Sequence, residues 1–321
     1  MAFPIDFVVT WVDGSDPIWV AKKNEYLTDS QKVDANDERY RDYGLLKNWF
    51  DRVWKYAPWV NNVYLITDNQ APDWARADSR IITVNHEDFI PEQYLPTFNS
   101  SAIEMNLWRI GALNEHFVYF NDDMFITQPV SREDFFTSDG LPVLNGSLRP
   151  VIAREMFSKI IFNNMLLVNQ MFPKSNYFRK NTRKYINIKK YGVVASLVTL
   201  SNSIYHNWVG FFEDHLAYPS LKSWFSDLNR TNPDVFNQTS MHRFRSSDDY
   251  TIWLLKNMYL ATGTFSPRSK NFGEMVSVSN VDDLRKVKRL LHSRKMVVIN
   301  DSIDAFQASA VINKLVKLMG I

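Results

Sequence analysis

Several apolar, strand-like runs in this chain end in acid. Phe117 to Phe120 runs into Asn121-Asp122-Asp123, Ile5 to Val12 into Asp13, Val63 to Thr67 into Asp68-Asn69, and Met296 to Ile299 into Asn300-Asp301. One Asp after a strand is ordinary turn chemistry. Acids gathered from several strand ends at one sheet edge would instead chelate a hard divalent cation through oxygen. Magnesium needs only one or two protein carboxylates when it also bridges substrate phosphates. The paired acids Asp122 and Asp123 are the sharpest such signal. A second candidate is Arg243-Phe244-Arg245, where guanidiniums at i and i+2 of an extended segment would project to one side and clamp a phosphate. Among the histidines, His215 follows Glu213-Asp214 and His86 precedes Glu87-Asp88. An imidazole beside carboxylates can serve as a general base.

The elements that must position these groups alternate in the first half. Ile5 to Val12, Val63 to Thr67, Arg80 to Val84 and Phe117 to Phe120 read as buried strands. Between them, Leu45, Leu46, Trp49, Phe50, Val53 and Trp54 recur at helical spacing before Pro58, and a second helix is expected from Ser100 to Asn114 with Asn99 or Ser100 as its cap. Alternating strands and helices predict an α/β fold: a mostly parallel, Rossmann-like sheet flanked by helices, with ligands at the carboxyl ends of its strands. The last third adds a helix over Val281 to Ser293 capped by Asn280, a strand over Met296 to Ile299 and a closing helix over Ser302 to Met319. Three parts are expected: an α/β half over 1–150 that binds substrate and metal, a helical basic insertion over 151–212, and a C-terminal part over 213–321 that completes the catalytic domain.

Composition narrows the chemistry. The 321 residues contain no cysteine, which excludes a thiolate metal site and a cysteine nucleophile. With only 10 Gly, and no G-x-S-x-G, Walker loop, H-E-x-x-H or G-x-G-x-x-G, phosphate would have to be held by metal, arginine and a helix N-terminus. Charge is asymmetric: residues 1–150 hold 13 Lys+Arg against 23 Asp+Glu, and residues 151–321 hold 24 against 12. An acidic half beside a basic half suits metal-binding carboxylates facing a phosphate-binding wall. The acidic half also argues against nucleic acid as a partner. Residues 156–212 contain eight basic residues and no acid, so contact with an anionic membrane surface or glycan is expected through 156–190. No signal peptide is visible at the N-terminus, and the most apolar stretch, Val193 to Phe212, is interrupted by Ser201, Asn202, Ser203, His206 and Asn207. A cytoplasmic protein, peripheral at the inner face of a membrane, is expected.

Four ordered blocks carry a resemblance. Ile5 to Asp16 (IDFVVTWVDGSD) resembles the first signature block of the Stealth family, the bacterial capsular-polysaccharide phosphotransferases to which the lysosomal-tagging GlcNAc-1-phosphotransferase is related. The second block runs from Arg39-Tyr40-Arg41-Asp42 through Lys55 to Val60, Ile66 to Gln70 and Leu95 to Ser100, ending at Asn121-Asp122-Asp123-Met124. The third runs from His215 through Arg243 to Asp248, and the fourth is Val298 to Asp301. The resemblance implies a GT-A-like form of this sheet and transfer of a sugar-1-phosphate from a nucleotide-sugar donor to a hydroxyl of a glycan acceptor, free or lipid-linked, with Mg2+ or Mn2+ as cofactor. On that reading Asp123 and Asp301 belong to the metal, with Asp13 and Asp122 close by. Arg243 and Arg245 hold phosphate, and His215, at the head of the third block, is the base ahead of His86 and His242. Asn69 and Asn300 orient the donor, and Trp11 or another aromatic stacks on its base or sugar. Two other readings remain open. One is a metal-dependent glycosyltransferase that forms a glycosidic bond and releases a nucleoside diphosphate. The other is a non-catalytic module that binds glycan or membrane.

Overall fold

The computed structural model describes residues 3–27, 40–152, 156–303 and 308–320. Ten strands are named in chain order: β1 (Ile5–Thr10), β2 (Val63–Thr67), β3 (Ile81–Asn85), β4 (His116–Asn121), β5 (Met124–Ile126), β6 (Val143–Leu144), β7 (Tyr218–Leu221), β8 (Ser266–Pro267), β9 (Gly273–Val278) and β10 (Met296–Asp301). The main sheet has the order β3-β2-β1-β4-β7. Its first four strands are parallel, and β7 closes one edge antiparallel to β4. These central strands are buried on both faces, which is why they read as unbroken apolar runs rather than alternating ones.

Because the strands are parallel, their carboxyl ends lie side by side: Thr10 pairs with Asn121 on one side and Ile66 on the other. Asp6 holds the opposite side of the sheet. This buried carboxylate accepts from Asn61 Nδ2 and Asn62 N through Oδ1, and from Asn114 N and Nδ2 through Oδ2, at 2.8–3.1 Å. The core between sheet and helices is aromatic: Phe7 lies 4.9 Å from Phe120, and Trp49 packs edge-on against Phe120 at 5.3 Å.

A second sheet, β5-β10-β9, leans on the first. The expected strand over Met296 to Ile299 is its middle member, antiparallel to β5 and parallel to β9. The two sheets share one piece of chain. β4 ends at Asn121, β5 starts at Met124, and Asp122-Asp123 form the whole connection. The Asp123 carbonyl accepts the Ile299 amide at 3.0 Å, which ties that connection to β10.

Two expected helices are shorter than their periodicity suggests. The Ser100–Asn106 helix, capped by the Asn99 side chain, gives way to one tight turn, Leu107–Arg109. Beyond it, Lys222 Nζ donates to the carbonyls of Ile110 and Leu113, and Asn114 N donates to Asp6, so tertiary partners draw the backbone out of the helix. The C-terminal helix spans Ala308–Met319; part of the expected Ser302 start lies outside the described residues. The basic insertion is helical as expected, with a long Met156–Met171 helix, four short turns, and the Val193–Asn202 helix among its described residues.

Candidate active site

A cleft of about 610 Å³ opens at the carboxyl edge of the main sheet, where the second sheet meets it. Of the residues expected to do chemistry, Trp11, Asp122, Asp123, His215, Arg245, Asn300 and Asp301 line it. Four chain regions thus converge: β1, β4 and β10 all end at this seam, and the 215–245 segment reaches it.

Asp122 and Asp123 form its floor. Burial pushes the Asp122 carboxyl up to about 7, helped by the negative charge of Asp42. Burial, then the Asp122 charge, pushes Asp123 up to about 8. The Asp123 side chain keeps 25% of its surface open, so the cause is a narrow walled cleft rather than a dry interior. Asp123 Oδ1 accepts no hydrogen bond although it is buried. Two crowded, poorly solvated carboxylates with an unsatisfied oxygen fit a divalent cation, which would relieve both their repulsion and their desolvation. Among the described residues no group of three His, Asp or Glu side chains converges at metal-ligand geometry.

Asp301, expected beside the metal, is already engaged. Oδ2 pairs with Arg41 NH1 at 3.0 Å, and Oδ1 accepts the Ile303 amide at 2.8 Å. It enters the cleft as the partner of Arg41. Asp13 and Asn69 are not brought to the cleft lining. Asp13 Oδ1 accepts from Ser15 N and Oγ, so its carboxylate serves its own turn. Asn69, in left-handed backbone with φ 61°, donates to Glu87. Asp68 likewise belongs to Lys22, 2.8 Å away.

The arginine pair divides. Backbone bends at Arg243 and Phe244 break the extended alternation that would put both guanidiniums on one side. Arg243 turns away to the Leu95 carbonyl and stacks 4.8 Å from Tyr26, while Phe244 stacks on Phe98 at 5.2 Å. Arg245 stays in the cleft, donating to Ser100 Oγ at 2.9 Å with its guanidinium 5.3 Å over Phe157. Beneath it, the buried Glu104 accepts from Tyr119 Oη and the Ile252 amide; burial pushes its carboxyl up to about 7.

His215 sits in left-handed backbone, φ 46°, held by its amide donating to Glu213 Oε1 at 2.9 Å. Its Nε2 lies 3.9 Å from Asp123 Oδ2. Glu213 and Asp214 do not raise its pKa as a free acidic pair would. Lys256 bridges both at 2.9 and 3.1 Å, and Arg268 takes Asp214 at 2.9 Å. Burial, reinforced by the Lys256 charge and opposed by Asp214, brings the imidazole down to about 4, so it is neutral near pH 7. Tyr218 Oη accepts from Trp253 Nε1 and lies 3.3 Å from both Glu213 Oε1 and His215 Nδ1. With the Tyr218 proton on Glu213, the His215 contact is donated by Nδ1–H and the Nε2 lone pair faces the cleft. The rival histidines are otherwise placed. His242 Nδ1 lies 2.7 Å from the buried Asp249, and His86, at the cleft wall, is also brought down to about 4 by burial.

Residue-type reasoning missed Arg41, Asp42, Tyr43, Phe157 and Trp253, all in the cleft lining. Arg41 and Asp42 stood within the second resembling block, but nothing in their local pattern assigned them a task.

A mostly parallel α/β sheet with carboxylates, an arginine and a neutral histidine at its carboxyl edge defines an enzyme cleft suited to anionic substrates. Comparison with known proteins agrees. The family model of Stealth protein conserved region 1 matches residues 3–31, and that of conserved region 2 matches residues 39–144. The chain is 40% identical over 302 residues to the exopolysaccharide phosphotransferase cps2G of Lactiplantibacillus plantarum, covering 93% of this chain and 88% of that one. It is 40% identical over 311 residues to the capsular polysaccharide phosphotransferase WcwK of Streptococcus pneumoniae, covering 94% and 91%. With the receptor polysaccharide phosphotransferase WefC of Streptococcus oralis it shares 38% over 325 residues, covering 98% and 96%. The chain belongs to the Stealth family, and it is an enzyme.

Proposed function

We propose that the protein transfers a sugar-1-phosphate from a nucleotide-sugar to a glycan hydroxyl, in capsule or cell-surface polysaccharide synthesis. Similarity to polysaccharide phosphotransferases over more than nine-tenths of the chain is the observation that carries this reading. The acceptor oxygen attacks the phosphorus that bears the sugar. One acceptor O–P bond forms, the P–O bond to the other phosphate breaks, and a nucleoside monophosphate leaves. The acceptor's proton passes to His215 Nε2, whose lone pair faces the cleft and whose Nδ1–H is anchored on Tyr218. An anionic diphosphate in the cleft opposes the burial, and the Lys256 charge behind it, that hold this imidazole low, and so makes it a better base. Arg245, backed by Phe157, presents a planar guanidinium to the transferring phosphoryl. Asn300 and Trp11 line the same cleft; Asn300 orients the donor, and Trp11 contacts its base or sugar.

Asp122 and Asp123 would hold Mg2+ or Mn2+, which when bound supplies positive charge beside the diphosphate. The Arg41–Asp301 pair positions the wall opposite them. The 1–150 segment supplies the acids and 213–321 the base and arginine, with 151–212 contributing Phe157 between them. A lipid-linked acceptor would bring the reaction to the inner face of the bacterial membrane; no described helix is long and apolar enough to cross one. Phosphorus NMR of products made with candidate nucleotide-sugars and acceptor oligosaccharides tests the reading. A glycan phosphodiester with nucleoside monophosphate is expected. Nucleoside diphosphate with a plain glycosidic product would overturn it in favour of glycosyl transfer.

A further inference from the structure

The Val193–Asn202 helix is built inside out. Its buried positions are Ser196, Thr199 and Asn202, one polar stripe at i, i+3 and i+6. Thr199 Oγ1 accepts the Leu148 amide, and the buried Lys174 ammonium holds the carbonyls of Asn202, Ser203 and Tyr205. The apolar side faces outward. Val193, Val194, Leu197 and Leu200 are exposed, continued by Ile188 before the helix and Ile204 after it, with Val194 and Ile204 each 77% exposed. Scattered exposed apolar residues need no explanation, but a contiguous face of this kind marks a binding surface.

The charge around it identifies the occupant. Lys189 and Lys190 stand exposed in the turn leading into the helix, and Lys270 lies against Gly192 at its start. None of these three forms an ion pair with a described residue, and the sequence from 156 to 212 offers no acid. A second copy of the chain laid on this face would bring like charges together. An anionic lipid surface would take both the apolar side chains and the ammoniums, as in-plane interfacial helices do. We propose that the Ile188–Ile204 surface docks the protein on an anionic bilayer, with the Val193–Asn202 helix lying in the interface plane. This relocates the membrane contact expected at 156–190: the Met156–Met171 helix commits Ile160, Met165, Leu167 and Val168 to the core. The proposal stands apart from the transfer reaction, and its test reads binding alone.

Because the chain has no cysteine, Leu200→Cys can carry a single polarity-sensitive fluorophore on otherwise unaltered protein. Blue-shifted emission is expected with vesicles of phosphatidylglycerol and phosphatidylcholine, and none with phosphatidylcholine alone. In sedimentation with the mixed vesicles, Val194→Asp/Leu197→Asp should lower the bound fraction at least about tenfold, and Lys189→Glu/Lys190→Glu should do so while removing the salt dependence. An unchanged thermal midpoint would show that the variants fold. The proposal is overturned by the absence of a shift with either vesicle, by equal binding to neutral vesicles, or by a shift that follows protein concentration without lipid while light scattering reports a dimer.

Discussion

Replacing Glu104 by Gln should stabilise the protein in mild alkali and leave its stability unchanged in acid. Glu104 lies under the cleft, buried, with its carboxyl pushed up to about 7 from an ordinary 4.5. Burial is the cause; the Ile252 amide, Arg245 and Tyr119 only partly offset it. Below the unfolded value both states hold the proton, and the stabilising contribution is present in full. As pH rises, the unfolded chain releases the proton near 4.5 while the native state keeps it, so stability is lost until the native group ionises near 7. The displacement from 4.5 to about 7 corresponds to ~3 kcal/mol. Gln reproduces the neutral acid: its carbonyl can accept the Ile252 amide, and its NH2 can donate to Tyr119 Oη. Urea unfolding of both proteins from about pH 4 to about pH 8 measures the difference. The curves should coincide at the acid end and separate by up to ~3 kcal/mol at the alkaline end. Parallel curves, or a variant less stable throughout, would mean that Glu104 is ionised in the native state and that the reasoning from burial fails.

Three further outcomes concern the cleft. His215→Ala should lower turnover by about 10²–10⁴ with donor binding largely kept, and Tyr218→Phe, which removes the oxygen that holds Nδ1–H, by about tenfold on an ordinary hydrogen-bond energy; pH–rate profiles of both, with the acid limb lost in His215→Ala alone, check the assignment. Arg245→Lys should cost about 10²-fold in turnover because an ammonium cannot reproduce the planar fork, whereas Arg243→Lys should cost little, since Arg243 faces Leu95 and Tyr26; steady-state kinetics of the two variants decide it. Chelator should abolish turnover, and Asp123→Asn should raise the Mg2+ or Mn2+ concentration needed for half-activation while leaving the thermal midpoint unchanged or higher, since one of two repelling buried acids is gone.

What was legible in the sequence was what local pattern controls. The apolar parts of β1, β2, β4 and β10 are buried on both faces, so each appears as an apolar run, and the residues after each run are at the carboxyl edge by construction. That is how Asp122, Asp123, Asn300 and Asp301 could be found. Asp13 and Asn69 stood at equally good strand ends and were drawn off by Ser15 and Glu87, contacts no spacing rule reveals. Arg243 was lost to a backbone bend that the extended reading of its segment did not include. β5, β6 and β8 are too short to carry a period. The Val193–Asn202 helix had an ordinary apolar composition, and only its packing shows that the apolar side faces out.

The placement of β10 also bears on how the enzyme is made. Synthesis delivers Asp122-Asp123 long before Met296–Asp301, yet β10 is the middle strand of the sheet that contains β5 and receives its Ile299–Asp123 bond. A nascent chain halted before residue 296 has β1 to β4 in hand, since N-terminal parts fold first, but β5 has no neighbour and Arg41 no Asp301. The carboxylates then sit on an unbraced connection. Competence therefore arrives in one step, late in translation, and C-terminal truncation products should accumulate as inactive protein rather than as slow enzyme.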